Sequence, residues 1–341
     1  MTEQNRLARR NILIILTLVA ALVCGIVFSF MLGRYPISPK ELGGILLSKL
    51  CPIDPFWTPK METILWNVRL PRIVLACMVG ACLSAAGCAY QGVFQNPMAS
   101  PDILGATKGS AFGAALAILL GWGSRGTMVS AFCFGLITIA LVWLAGSRAK
   151  GKRVISLILA GIIISSLFEA GTSYIKLVAD PNDHLPNITY WLMGSLTGAK
   201  LEDLGFVLPL MLLGLGLLLL LRWQLGVLTL GDDEAKTMGI NAKVIRMAVL
   251  LCATFLTATS VSVSGVISWV GLVVPHLARR LVGGNYRYLM PASMVLGALF
   301  LLLVDNISRN LFATEIPLGI LTAFVGAPFF LYLLTKGGEG A

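Results

Sequence analysis

Residues Arg69 to Gly105 read RLPRIVLACMVGACLSAAGCAYQGVFQNPMASPDILG, and their pattern decides the class of fold. Two arginines flank a proline at the start. About one membrane thickness of apolar and small residues follows. The stretch then closes on a polar turn at Asn96-Pro97. One charged end, one apolar span rich in Gly, Ala and Ser, and one structured turn describe a membrane helix with both ends specified. The remainder of the chain agrees. It is 57% hydrophobic and only 12% charged, with a mean hydropathy of +0.86, whereas soluble domains are about a quarter charged. An all-α polytopic membrane protein is expected, with residues 1–341 forming a single transmembrane domain. There is room for about ten crossings at roughly 20 residues each, and none for a soluble catalytic domain.

Arg6, Arg9 and Arg10 precede an apolar run over 11–33, too long for a signal-peptide core, which reads as the first crossing. Residues 34–68 carry prolines at 36, 39, 52, 55 and 59 and form a polar outer-surface segment. Within it, Pro39–Leu50 suits a short amphipathic helix on the membrane surface. Further spans are expected over about 70–92, 110–121, 126–145, 154–178, 204–221, 247–263, 265–277, 288–304 and 316–335. Alternating them puts 1–10, 147–153, 222–246, 278–287 and the C-terminus on one side. Basic residues occur in every one of these segments, densely so in SRAKGKR (147–153), which marks the side as cytoplasmic and puts both termini there. The net charge of +10 is therefore a topology signal and not a nucleic-acid surface. Six of the seven cysteines lie in apolar runs as small apolar residues. No CxxC or Cys/His cluster indicates a metal site or disulfide framework. Gly87, Gly92 and Pro97 in the first half are echoed by Gly265, Gly271 and Pro275 in the second. This raises the expectation of matched helix breaks, as in repeat-built transporters, although glycine is common in membrane helices anyway.

Three groups of residues stand out. Arg69 and Arg72 lie one helical turn apart, and Arg309 sits in DNISR, all on the side where the positive-inside rule disfavours arginine. The segment Leu228–Ile240 carries Asp232, Asp233, Glu234 and Lys236 between Gly231 and Gly239, so a short helix with an acidic start and a glycine stop is expected. Glu169 is an ionisable group in the middle of the fifth span, where a functional role is the default; it is expected either to touch substrate or to bond to a neighbouring helix as a protonated acid. Gln91, Asn96 and Pro97 shape the inner turn and are candidates for a gate there. His184 and His276 fall in separate loops and make no metal site. No P-loop pattern is present, so the chain is not expected to hydrolyse ATP.

The segments RLPR (69–72), Gly87–Gly105, WLMGSL (191–196), LGDDEAKTMGI (230–240), GLVVPH (271–276) and PLGILTAFVGAPFF (317–330) resemble, in order and spacing, those of FecCD-type permeases. These are the membrane subunits of ABC importers for iron chelates, haem and vitamin B12. The resemblance implies a vitamin-B12-importer-permease-like fold in a bacterial inner membrane, surrounded by lipid. It also implies a homodimer working with two cytoplasmic ATP-binding-cassette ATPase subunits, which bind ATP and Mg, and with an outer substrate-binding protein, periplasmic or surface-tethered. No cofactor is expected on this chain, which would be a transporter subunit and not an enzyme. By the same resemblance Arg69, Arg72 and Arg309 dock the binding protein. Leu230, Gly231, Asp232, Asp233, Glu234, Ala235, Met238 and Gly239 couple to the ATPase, while Gln91, Asn96, Pro97, Glu169 and Tyr174 belong to the translocation path or its gate. A ferric siderophore is the expected cargo, with haem, cobalamin or an oxyanion as alternatives. The competing reading is a self-sufficient secondary transporter using Glu169 as an ion-coupling carboxylate, with an intramembrane enzyme third.

Overall fold

A computed structural model describes residues 3–49, 51, 52, 54–148 and 153–336. Most of the basic loop expected at 147–153, and the chain beyond 336, lie outside the described residues. Regular structure among them is helical: α1 (Glu3–Met31), α2 (Pro39–Leu47), α3 (Pro59–Ile64), α4 (Leu70–Phe94), α5 (Ala106–Leu119), α6 (Gly123–Arg148), α7 (Arg153–Val178), α8 (His184–Leu192), α9 (Leu201–Leu228), α10 (Asp232–Thr237), α11 (Ala242–Ser264), α12 (Val270–Val282), α13 (Tyr286–Asn310) and α14 (Leu318–Lys336). A wide turn at Leu65–Arg69 carries α3 directly into α4, and a 3-10 turn at Pro101–Leu104 leads into α5.

Each expected span overlaps a helix, the one at 265–277 only from Val270 onward. Seven runs, in α1, α3–α4, α6, α7, α9, α11 and α13, are long and apolar enough to cross a bilayer by themselves. The 14 residues of α5 and the 13 of α12 fall short of the roughly 20 needed for a crossing. Protein meets them instead of lipid, since α5 packs on α6 and α7, and α12 on α4 and α13. The last helix, α14, runs 19 residues, Leu318–Lys336.

Small residues put α4 at the centre. In the crossing that contains it, 83% of the most apolar window is buried, against 6% in α1. Its neighbours approach to backbone contact. A methyl group built on Gly87 would lie 1.7 Å from the carbonyl oxygen of Gly271, and one on Gly80 would lie 2.2 Å from that of Gly297. Between these contacts the Ser84 hydroxyl donates to the Ser293 carbonyl (2.8 Å), and lower down the Tyr90 and Thr254 hydroxyls pair at 2.6 Å. Close approach through Gly, Ala and Ser is how membrane helices associate when apolar burial gives no advantage over lipid.

The expected matched helix breaks are not found. Gly87 and Gly92 lie inside an unbroken α4, and Pro275 lies inside α12. The interruption in the second half falls at 265–269, where Trp269 takes a left-handed conformation (φ 73°) before α12 begins. The two glycine sets are related by contact, since Gly87 packs on Gly271.

On the outer side α2 forms where the surface helix is expected, ending at Leu47. Ser38 and Glu41 close a reciprocal cap, with Glu41 N–H donating to Ser38 Oγ (3.3 Å) and Ser38 N–H to Glu41 Oε2 (2.8 Å).

The close crossing of α4 and α12 makes Gly87→Leu a severe substitution. Overpacking typically costs about 1–3 kcal/mol, and here the obstruction is backbone. The purified variant should melt several degrees below the parent, or fail to accumulate. Gly216→Ala in α9, where a methyl meets nothing within 4 Å, should melt at or above it, since alanine favours helix by roughly 0.5–1 kcal/mol.

Candidate functional site

At the outer end of α4, Arg72 Nε donates to Asp305 Oδ1 (2.9 Å) and its Nη1 lies 2.8 Å from Glu315 Oε2. Asp305 also faces Arg309 Nε at 3.2 Å, one turn along α13. Arg309 Nη2 reaches Ser29 Oγ (2.8 Å) and Asn306 Oδ1. Arg69 is held differently, by the backbone carbonyls of Phe30 and Tyr35. Gly33 leaves it room, since a methyl there would come within 2.6 Å of the guanidinium. A buried charge is costly unless it is paired or hydrogen-bonded; Arg72 and Arg309 are paired with acids, and Arg69 is solvated by two carbonyls.

The three arginines expected to face a docking partner are in fact buried, with exposures of 4% for Arg69, 6% for Arg72 and 8% for Arg309. The partly exposed member of the network is Glu315, in the loop before α14, at 27% of its side chain. Burial alone would push the Glu315 carboxyl up. The Thr197 hydroxyl, donating at 2.7 Å, and Arg72 outweigh it, so the group titrates below the ordinary glutamate range. Asp305, Glu315 and Ser29 were not among the expected site residues. Asp305 was legible, being an acid in an apolar span four residues before an arginine.

Next to this network is a cavity of about 490 Å³, on the side assigned as outer. His184, Tyr190 and Trp191 of α8, Ser195 and Thr197 of the following loop, and Asp203 of α9 are among its lining residues.

At the opposite end, the expected short helix is α10. Gly231 opens it at φ 130°, and Gly239 closes it at φ 76°. Ile240 N–H bonds back to the Ala235 carbonyl (2.9 Å) and Gly239 N–H to that of Lys236 (3.0 Å), a Schellman ending. Arg246 grips Asp232 with both terminal nitrogens (2.7 and 3.3 Å) and holds its carboxyl below the usual range. The helix is thus fixed to α11. Its expected contact residues divide into two sets. Ala235 is fully buried against Val227, Leu228 and Ile240, so it anchors the helix and cannot present a surface. Leu230 and Met238, 61% and 55% exposed, do present one, beside the exposed Asp232, Asp233, Glu234 and Gly239.

The path candidates do not gather into one site. Gln91 is buried, and its Nε2 donates to the Leu272 carbonyl (3.2 Å), tying α4 to α12. Asn96 Oδ1 accepts from Met98 N–H (2.9 Å), which shapes the exposed turn at Pro97. A neighbour that sequence reasoning passed over, Gln95, has a left-handed backbone (φ 50°) and donates to the Leu228 carbonyl at 2.9 Å. It joins this turn to the last residue of α9. Glu169 and Tyr174 lie on the exposed face of α7, and Glu169 accepts from Lys108 of α5 at 2.7 Å. Lys108 was also unforeseen, though a lysine beside a short apolar span is itself a signal.

A helical bundle with seven helices long and apolar enough to cross a membrane, a capped exposed helix at one end and a tied charge network at the other, is a polytopic membrane protein. The chain belongs to the FecCD transport family, which matches residues 20–336. It is 42% identical to the molybdate import system permease protein MolB of Haemophilus influenzae, over 95% of this chain and 97% of that one. It is 38% identical to the Fe(3+)-citrate import system permease protein YfmE of Bacillus subtilis, over 98% of each, and 36% identical to the hemin transport system permease protein HmuU of Yersinia pestis, over 89% and 92%. Among solved structures it superposes at a TM-score of 0.85, with 41% identity and coverage of 95% and 99%, on an inward-facing conformation of a transporter provisionally assigned to the metal-chelate ABC type. This is an ABC importer permease, a membrane transport subunit of the metal-chelate kind.

The division within α10 separates anchoring from contact. Ala235→Glu places a charge in a buried apolar site and should unfold the helix, speeding amide exchange over 228–240. Met238→Glu should leave that exchange unchanged. Equal exchange in the two variants would show that α10 is not held by this anchor. Because Asp232 titrates below its ordinary value, the tie to Arg246 is complete at neutral pH and lost as pH falls through that depressed value.

Proposed function

We propose that the chain is the transmembrane domain of an importer in a bacterial inner membrane, operating as a homodimer. Two cytoplasmic ATPase subunits, which carry the ATP and Mg, drive it, and an external binding protein supplies the cargo. The observation that carries this reading is α10, a capped helix fixed to α11 that exposes Leu230 and Met238 beside acidic residues. An apolar pair of this kind on the cytoplasmic side fits the cleft of a partner, and the solved relative is an ABC transporter. Leu230, Gly231, Asp232, Asp233, Glu234, Met238 and Gly239 form that contact, with Ala235 behind them. Arg69, Arg72 and Arg309 provide the positive field that attracts an acidic binding protein. Gln91, Asn96 and Pro97 bracket the inner mouth.

The Lys108–Glu169 pair marks the path. Its side chains are 45% and 59% exposed within the span region. A charge facing lipid costs about 2.5–3.5 kcal/mol on insertion scales, so this face of α7, with Tyr174, suits water and a second copy better than lipid. The expected cargo, a ferric siderophore, belongs to a wider class. Molybdate, ferric citrate and haem, named for the relatives, share a metal and negative charge. We take the cargo to be a metal-bearing anion that passes Lys108.

Proteoliposomes holding the permease, its ATPase and its binding protein should accumulate one of radiolabelled molybdate, ferric citrate or haem only when ATP is supplied. Lys108→Gln should slow that uptake roughly three- to tenfold, the scale of one charge-assisted contact. Uptake by the permease alone along a proton gradient would reverse the assignment.

A further inference from the structure

Arg72 uses its guanidinium incompletely. Nε is bonded to Asp305 and Nη1 to Glu315, while Nη2 is buried without a hydrogen-bond partner. Around it, Arg72 and Arg309 meet the carboxylates of Asp305 and Glu315, while Arg34 and Arg69 bond backbone carbonyls, so that among the described residues four guanidiniums stand near two carboxylates. The cluster is therefore positive overall and has an unused donor. Its acids differ in access, with Asp305 fully buried and Glu315 27% exposed.

Glu315 has a second task. The oxygen nearest Arg72, Oε2, also accepts from Thr197 Oγ1 at 2.7 Å. Thr197 lies in the loop that lines the outer cavity, and Ser195 Oγ donates to Thr197 Oγ1 at 2.7 Å. The base of that loop is held by backbone bonds: Ser195 N–H to Ser264 O (2.7 Å), Leu318 N–H to Gly194 O (2.8 Å) and Gly319 N–H to Met193 O (3.0 Å). Towards its tip Glu315 is the side chain from outside the loop that holds it, and a methyl on Gly198 would meet nothing within 4 Å.

We propose that Glu315 is a displaceable acid. It occupies Arg72 at rest, and an acidic side chain of the docked binding protein takes its place, releasing Thr197 and the loop at the cavity rim. This rests on the docking role proposed above. An incoming carboxylate placed on Nη1 and Nη2 would make the bidentate contact that arginine prefers, using the idle nitrogen and replacing a pairing that engages Nη1 alone. The two requirements for exchange, an accessible leaving acid and an unused donor, meet at one guanidinium.

The test uses the permease–ATPase complex in lipid nanodiscs with its binding protein. Docking is measured over a series of salt concentrations, and hydrogen exchange is followed over 193–199. Glu315→Gln removes the competing charge and should tighten docking at low salt by roughly three- to tenfold. Thr197→Val should speed exchange over 193–199 in the undocked complex, and docking should speed it in the parent protein. Both variants are conservative, and unchanged melting would confirm that they fold. If Arg72→Lys weakens docking while Glu315→Gln docks as the parent does and docking leaves the loop unchanged or slower, the exchange is wrong and the docking role stands. If neither Arg72→Lys nor Arg309→Lys alters docking, the docking role itself fails.

Discussion

Two helices come into backbone contact only where neither carries a side chain, and that constraint organises this permease. At Gly87 and Gly271 there is no space for even one methyl group. The crossing holds α12 against α4, and Gly80 and Gly297 do the same for α13. With α4 clasped in this way, short helices become possible. Neither α5 nor α12 could cross a bilayer alone, yet each lies against longer helices that satisfy its surroundings. The faces left to lipid are chiefly those of α1, α6 and α9, whose apolar windows are mostly unburied.

The same centre determines where charge can be kept. Arg69 and Arg72 enter on α4, so packing α4 inside the bundle draws their guanidiniums inside as well. Neutralisation then has to come from elsewhere in the chain. Asp305 and Glu315 provide it for Arg72, while Arg69 keeps its charge and is solvated by the carbonyls of Phe30, in the last turn of α1, and Tyr35. An arginine at a helix end ordinarily turns outward into the interface. Here packing has overridden that preference, and an acid stands at the surface in its place.

Features with local causes were legible in the sequence. The α10 helix was readable because its start and stop residues lie within a dozen positions, and each span was readable from its own apolar run. The pairs that give the site its character are not local. Arg72 meets partners more than 200 residues away, and Lys108 meets Glu169 across 61. Their types were visible but not their pairing, because no single-chain periodicity encodes which helix lies beside which. The left-handed Trp269 had no signal at all. Glycine is the residue expected at such a backbone, and the two nearest, Gly265 and Gly271, drew attention to positions that behave differently. The buried Ala235 shows a related limit: in a short helix rich in charge, one small residue does not reveal which side faces inward.

The inner and outer sites are joined by a single rigid element. Arg246, near the start of α11, holds α10 through Asp232, and the carbonyl of Ser264, at the end of the same helix, accepts from Ser195 at the rim of the outer cavity. A continuous helix transmits displacement along its axis because its own hydrogen bonds do not need to break. Gln95 adds a second connection, from the last turn of α9 to the end of α4, and Gln91 extends it to α12. A force applied at α10 therefore reaches the outer rim through α11 and the central helix through Gln95. Buried side chains on α11 such as Thr254, Thr257, Thr259 and Ser262 bond back to carbonyls of their own helix, and apart from the Thr254–Tyr90 pair they leave its polar groups few ties to its neighbours. With few cross-helix hydrogen bonds to break, the position of this rod is set by side-chain packing against α4, α6 and α9.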